Sequence, residues 1–405
     1  MFSRIFYQLG LLKKSTKKVY ADYATLTPIS DGVLTVMSRI YMQYDKNPSA
    51  LYGSAVLAKK QLEGSRKEVA GLLSGHSLHS VHADEVYFTS GGTESNNIAI
   101  YGIIDAWYEK YESVPHIIIS NIEHPAVTKI IDDLVAKKRV TATYVSVTTE
   151  GIIDMVELKK AFEHSDIALV SVMFVNNEIG TIQPISEIAR TVRQYRKKHG
   201  SVYPYFHTDA CQAPCYVDMP IDKLGVDMLT LDGGKIYGPR GVGCLYVKRG
   251  MLLDSPYKGG GQESGVRPGT ENLPAIVGFA TALADVYTFR DREVKKLAKM
   301  QEYIIKQLPQ NLFVNGSQKS EERVVNNISV CFPGKDSEFL VFQMDVAGVE
   351  VSAVTACQNT QEESRSTVVD ALGKDCGGSS IRISLGRYTT WREVKKIVNV
   401  VNALK

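Results

Sequence analysis

From Val86 to Lys248 the chain alternates between two hydrophobic rhythms. Short apolar, β-branched runs (Val86-Tyr87-Phe88-Thr89, HIIIS, TYVSV, ALVSVMFV, MLTL and GCLYV) have the length and make-up of strands buried on both faces. Between several of them lie longer stretches with apolar residues at helical spacing, such as ESNNIAIYGIIDAWYEK and ISEIARTVRQYRKKHG. Strand, helix, strand in sequence predicts a mostly parallel sheet covered on both faces. Such sheets hold ligands at the carboxyl ends of their strands, so the loops after strands are where chemistry is expected.

After about Pro274 the texture changes. Two helical stretches within AIVGFATALADVYTFRDREVKKLAKMQEYIIKQL lead into the strands NNISVCF and SIRISLG, then a last helix from Thr390. This predicts a smaller α+β domain. The segment QNTQEESRST has no apolar period and is expected to be an exposed, mobile loop. The expected organisation is an N-terminal extension over 1–18, a large domain over 19–273 whose first residues can pack on the small one, and a small domain over 274–405. The apolar part of MFSRIFYQLGLLKKSTKK is too short to span a bilayer, and no small-residue cleavage site follows it. It reads as a loosely docked terminus, with an amphipathic segment lying on a membrane or partner as the alternative.

Composition narrows the classes. At 405 residues the chain exceeds the size at which one core stops growing, so two domains are expected. An apolar fraction of 44% and a charged fraction of 22% are ordinary globular values. A net charge of +3 with scattered basic residues gives no footprint for nucleic acid. The six cysteines form no C-x-x-C pair and no zinc-finger spacing, so neither a structural metal nor a disulfide framework is expected. Free thiols fit a reducing, cytoplasmic compartment.

Four segments carry candidate chemistry. TSGGTESNN (Thr89 to Asn97) joins a predicted strand to a predicted helix, and its glycines and helix N-terminus could seat an anion. Alone, such a turn is more often structural. GGKIYGPRGVG sets Lys235 among glycines after the strand MLTL, where its amine can be desolvated and form a Schiff base. A surface lysine in a turn is the plainer reading. YFHTDACQ ends a strand on Asp209, and an aspartate paired with a pyridinium nitrogen is what pyridoxal 5′-phosphate (PLP) chemistry requires. NIEHPAV places His124 just after a strand, where a histidine is usually a satisfied loop residue.

Together with ADYATLTP, NPSALYG, VNNEIGTIQPI, GGGQESGVRPGTEN, NNISVCFPG, SAVTAC and SSIRISLGRYTT, these segments resemble the NifS/IscS-type cysteine desulfurases. That family lies in the class V aminotransferase group of fold-type I PLP enzymes. The motifs run in the family's order from about residue 20 to the end. The resemblance implies an α/β fold of the aspartate aminotransferase-like PLP-dependent transferase kind, with a mostly parallel seven-stranded sheet in the large domain and a smaller α+β C-terminal domain.

Roles follow from the resemblance, position by position. Lys235 would hold PLP and move protons at the substrate Cα. Asp209 would pair with the pyridine nitrogen, and His124 would stack on the ring. Gln212 and Asn177 would sit by the phenolic oxygen. Gly92 and Thr93 would hold the phosphate, helped by Thr270 of a second subunit, so a homodimer is implied. Arg382, with Asn177 beside it, would bind the carboxylate of L-cysteine. Cys357, in SAVTAC among polar neighbours, would be the nucleophile that takes the sulfur as a persulfide for an acceptor, whether an iron–sulfur scaffold or a tRNA-thiolation protein. Cys331 and Cys244 read as core, and Cys211, Cys215 and Cys376 match no nucleophile position.

The sequence departs from the family at the phosphate. Ser-x-His before the lysine is replaced by Asp232 and Gly234. At ~4 Å and a dielectric of about 20, a unit charge pair is worth roughly 4 kcal/mol, more than a lost hydrogen bond of about 1 kcal/mol. Asp232 is therefore expected to turn away, to be protonated, or to be offset by a cation in the space left by Gly234, with Lys258 and Arg267 as candidates. Smaller departures are Val354 for a glycine and Tyr52 for a histidine. Two rival readings remain at this stage: a selenocysteine lyase or other class V enzyme, and a catalytically impaired homologue serving as a binding subunit.

Overall fold

The computed structural model describes residues 18–75, 80–353, 365–376 and 378–404. In chain order the strands are β1 (Val19–Tyr20), β2 (Val86–Thr89), β3 (His116–Ser120), β4 (Thr141–Val145), β5 (Ile167–Ser171), β6 (Tyr205–Asp209), β7 (Met228–Asp232), β8 (Gly243–Val247), β9 (Phe313–Val314), β10 (Asn327–Cys331), β11 (Val349–Glu350), β12 (Ser352–Ala353) and β13 (Ser380–Ser384). The helices among the described residues are α1 (Asp31–Gln43), α2 (Gly53–Ser74), α3 (Gly92–Tyr111), α4 (Pro125–Ala136), α5 (Met155–Ala161), α6 (Ile185–His199), α7 (Ile221–Leu224), α8 (Leu273–Lys306), α9 (Ser337–Val346), α10 (Thr367–Asp370) and α11 (Trp391–Ala403).

The large sheet has seven strands in the order β2-β8-β7-β6-β5-β3-β4. Only β8 runs antiparallel, to β7 on one side and β2 on the other. Strands β3, β5, β6 and β8 are buried at every position, which is why β3, β5 and β8 read as apolar runs rather than alternations; β6 instead buries His207, Thr208 and Asp209 at the site end. The edge strand β4 is half exposed. It starts two residues before the expected TYVSV run, because its parallel register with β3 pairs His116 with Thr141 and Ser120 with Val145.

A second sheet of four strands runs β12-β13-β10-β9, and β1 pairs in parallel with β11. Each sheet has its own apolar core. One element serves both. Helix α8 is a single 34-residue helix where the sequence suggested two. Its first half buries Phe279 and Leu283 in the larger core, and its second half buries Leu297, Met300 and Ile304 in the smaller one. In the charged run between them Glu293 is buried and accepts from Arg387 Nε at 2.6 Å. Among the described residues no helix is long and apolar enough to cross a membrane.

The cysteine reading needs one correction. Cys331 is buried in β10, as expected, but it is disulfide-bonded to Cys376, with the two Cα atoms 5.8 Å apart. Strand β10 lies antiparallel to β13, which sets Cys331 opposite Ser380, and the turn before β13 brings Cys376 back over it. A separation of 45 residues with no local spacing cue hides this pairing from the sequence. Cys211, Cys215 and Cys244 are free thiols.

Candidate active site

Neighbouring strands of the large sheet end on the candidate residues. Strand β7 ends at Asp232, and a short turn over Gly233–Lys235 follows it. Glycine is required at 233, because a Cβ there would lie 2.6 Å from the Pro239 carbonyl oxygen. Strand β6 ends on Asp209. The loop after β3 gives Glu123 and His124, and the turn after β2 gives Gly91 and Gly92 at the head of α3. His124 caps α4, its Nδ1 accepting from the Ala126 amide at 3.0 Å, with Pro125 opening the helix.

A segment that the sequence reading quoted only as a motif ties these residues together. Lys235 Nζ donates to the Thr25 carbonyl, and Gln212 Nε2 donates to the Ala24 carbonyl at 2.8 Å. Arg382, in the middle of β13, donates to Thr25 Oγ1 at 2.6 Å, to Asp22 at 2.8 Å and to the Asn177 carbonyl at 2.9 Å. Its Nε is buried with no partner among the described residues. Asp22 and Thr25 thus join the schiff-base candidate to the carboxylate candidate, and their order in ADYATLTP was the available signal.

Asp209 is held at both oxygens. Asn96 of α3 donates to Oδ2 at 2.7 Å and the Cys211 amide to Oδ1 at 3.0 Å. Asn96 lies inside TSGGTESNN, yet nothing in the motif's spacing shows that its side chain crosses to β6. Beneath it His207 bridges Ser171 and Thr230, at 2.9 and 3.0 Å. Burial drives the His207 pKa down to about 4, so this imidazole is neutral. Burial also lowers the His124 pKa, with Asp209 and Asp232 opposing and Lys235 reinforcing. Buried Glu123 is pushed up to about 8; Ser120 and the Met173 amide, which donate to it, pull the other way.

The remaining candidates sit as follows. Asn177 meets Arg382 through its backbone carbonyl. Thr93 is exposed in the first turn of α3, its carbonyl accepting from Asn97 at 2.8 Å. Thr270 is exposed and no hydrogen bond among the described residues joins it to the others. Cys357 lies outside the described residues. In sequence it falls between β12, where Ser352 pairs with Arg382, and Ser366, whose hydroxyl donates to the Glu178 carboxylate. Burial raises Glu178 to about 7, with Ser366 and Arg382 opposing.

These groups fit PLP at its aldehyde and ring nitrogen: an amine, a fixed carboxylate and a neutral imidazole share one cluster with an unmet arginine donor. The phosphate end is different. The first turn of an α-helix leaves amides without intrahelical partners, but Asp232 Oδ2 accepts from the Gly92 amide at 2.9 Å and its Oδ1 from Gly234 at 2.8 Å. The carboxylate has not turned away. Nor do the suggested cations reach it, since Lys258 pairs with Asp254 at 3.2 Å and Arg267 with Glu94 at 3.3 Å.

The chain is similar to known proteins along nearly its whole length. The aminotransferase class-V family model matches residues 19–397. Cysteine desulfurase IscS of Dictyoglomus turgidum is 35% identical over 393 residues, covering 96% of this chain and 94% of the relative. A mitosomal cysteine desulfurase of Trachipleistophora hominis is 34% identical over 95% of this chain and 85% of its own. A solved NifS-like protein superposes with a TM-score of 0.85 at 31% identity, over 96% of this chain and 99% of that one. SspA, solved in complex with cysteine, does so at 0.76 and 30% identity, over 92% and 100%. With lysine, aspartate, histidine and arginine converging at the strand ends, the chain belongs to the class-V aminotransferase family, and within it to the cysteine desulfurases of NifS/IscS type.

Proposed function

We propose that this chain takes sulfur from L-cysteine, releases L-alanine, and holds the sulfur as a persulfide on Cys357 for an acceptor protein. The observation that carries the reading is the bridge through Thr25, which joins the Lys235 amine to the Arg382 guanidinium. When bound at Lys235, PLP supplies an electron sink for the pair left on the substrate Cα. Everything else falls to the chain's own residues.

Arg382 binds the substrate carboxylate, which fixes the Cα–H bond toward Lys235. The Lys235 amine takes the Cα proton and returns protons on the way to alanine. Asp209 would keep a proton on the pyridine nitrogen, and His124 would stack on the ring. Asn177 and Gln212 would be the groups beside the phenolic oxygen. The Cys357 thiolate attacks the substrate sulfur; the new S–S bond forms as the Cβ–S bond breaks, and Cβ becomes the methyl group of alanine. Cys357 is four residues past Ala353, so extended chain carries it at most about 14 Å from that point, which Ser352 holds beside Arg382.

A homodimer belongs to the same proposal, with exposed Thr270 of one subunit at the phosphate end of the other. So does a cytoplasmic site of action: a nucleophilic thiol and its persulfide persist in a reducing compartment, and the Cys331–Cys376 disulfide is buried at both cysteines, out of reach of exchange. The acceptor is an iron–sulfur scaffold or a tRNA-thiolation protein. The test is to incubate the chain with PLP, reductant and either L-cysteine or L-selenocysteine, measuring alanine and chalcogenide. Alanine and sulfide in equal amounts from cysteine are expected. Alanine from selenocysteine alone would favour a lyase, and alanine from neither would favour the binding-subunit reading.

A further inference from the structure

We infer that Asp232 makes cofactor loading proton-coupled, so that the phosphate reaches the head of α3 only as one proton is taken up from solvent. The inference rests on the proposed use of PLP and concerns the one end of the site where this chain differs from its family.

The geometry leaves little freedom. Asp232 is the last residue of β7, paired with Gly243 of β8, and its carboxylate lies against the Gly91–Gly92 backbone. A Cβ on Gly91 would fall 3.0 Å from Oδ2. Both oxygens already accept backbone amides, at 2.9 Å from Gly92 and 2.8 Å from Gly234. The absence of a side chain at 234 opens no room for a counter-ion, because a Cβ there would lie 3.0 Å from Leu26 Cδ1 and 3.2 Å from Asp232 Oδ1. An anion of the chain's own therefore sits on the amide that an incoming phosphate would take.

Among the described residues no neighbouring charge offsets it. Cys211, from the loop after β6, comes within 2.7 Å of where a Gly92 Cβ would stand, and burial with Asp209 and Asp232 keeps its thiol protonated. His124, from the head of α4, is held neutral by burial. Glu94, in the first turn of α3, bonds the Ser90 amide and Arg267, so that arginine is engaged. Strand β8 presents only Gly243 backbone. Lys235 is the remaining cation, and it is committed to the cofactor's aldehyde. A dianion beside an ionised Asp232 is repelled; one shared proton replaces that repulsion with an O–H···O bond from Asp232 to a phosphate oxygen.

Asp232→Asn is the discriminating variant: its amide oxygen can accept from Gly234 as Oδ1 does now, which leaves the Gly92 amide and the side-chain NH₂ both free to donate to phosphate without a proton from solvent. Apo protein is titrated with PLP between pH 6.5 and 8.5, following the cofactor's visible absorbance. The wild-type dissociation constant should rise about tenfold more per pH unit than that of the variant, and Asp232→Asn should bind at least about tenfold tighter at pH 8. Pyridoxal, which has the aldehyde but no phosphate, should show no such difference. Proton uptake in weakly buffered solution provides a second reading, with wild type taking up about one proton more for PLP than for pyridoxal. This also decides the matter should the variant fail to fold. Parallel pH slopes, or equal proton uptake for the two ligands, overturn the inference. Absence of any PLP band in wild type and variant at every pH would instead bring down the proposed function on which it rests.

Discussion

Lys235→Ala is expected to abolish alanine formation, with a loss on the order of 10⁴-fold, and to remove the visible band that PLP gives with wild-type protein. Two roles end in one substitution: the covalent hold on the aldehyde and the base at Cα. Proton transfer by a placed amine accounts for about 10²–10⁴-fold of rate by itself. The fold should survive, because Lys235 closes a short turn whose backbone is fixed from elsewhere. Gly233 donates to the Val242 carbonyl at 3.0 Å, and Thr27 donates to the Gly234 carbonyl at 3.0 Å. Unchanged far-ultraviolet dichroism with no band and no alanine is the expected pattern. Alanine release within about tenfold of wild type would remove Lys235 from the chemistry.

Cys357→Ala should leave the visible band and cysteine binding in place while sulfide release under reductant falls on the order of 10³-fold. The asymmetry follows from the separation of the two parts. Arg382, the proposed carboxylate site, is fixed by Asp22 at 2.8 Å and the Asn177 carbonyl at 2.9 Å, and neither bond involves residue 357. No other thiol should substitute. Cys211 is nearest the site, but burial, with Asp209 and Asp232 beside it, raises its pKa well above the thiol range and leaves it protonated. Cys215 and Cys244 are buried and raised likewise, and Cys331 and Cys376 are bonded to each other. Sulfide release equal to wild type would show that the sulfur passes elsewhere.

Much of this architecture was legible in the chain. A parallel sheet buried on both faces imposes unbroken β-branched runs, so HIIIS, MLTL and GCLYV announced themselves. The strand-end rule then directed attention to Lys235, Asp209 and His124. What stayed hidden were contacts between distant segments. Asn96 holding Asp209, Thr25 receiving both Lys235 and Arg382, and Cys331 meeting Cys376 each depend on which strand lies beside which, and no local period encodes that. Helix α8 reads as two helical stretches in the sequence but is one, its charged run RDREVKK continuing the helix with Glu293 buried against Arg387. Asp232 stood out as a conflict because an acid replaces a family phosphate donor. Its resolution on the Gly92 amide required the geometry of the turn after β2.

The central claim is that sulfur leaves cysteine and comes to rest on one thiol of this chain. Mass spectrometry of the PLP-loaded protein, after brief exposure to cysteine without reductant and proteolysis, tests it directly. A gain of about 32 Da, one sulfur atom, is predicted on the peptide containing Cys357 and on no other. Alanine formation with no mass gain on that peptide, or with the gain on the peptide of Cys211, would contradict it.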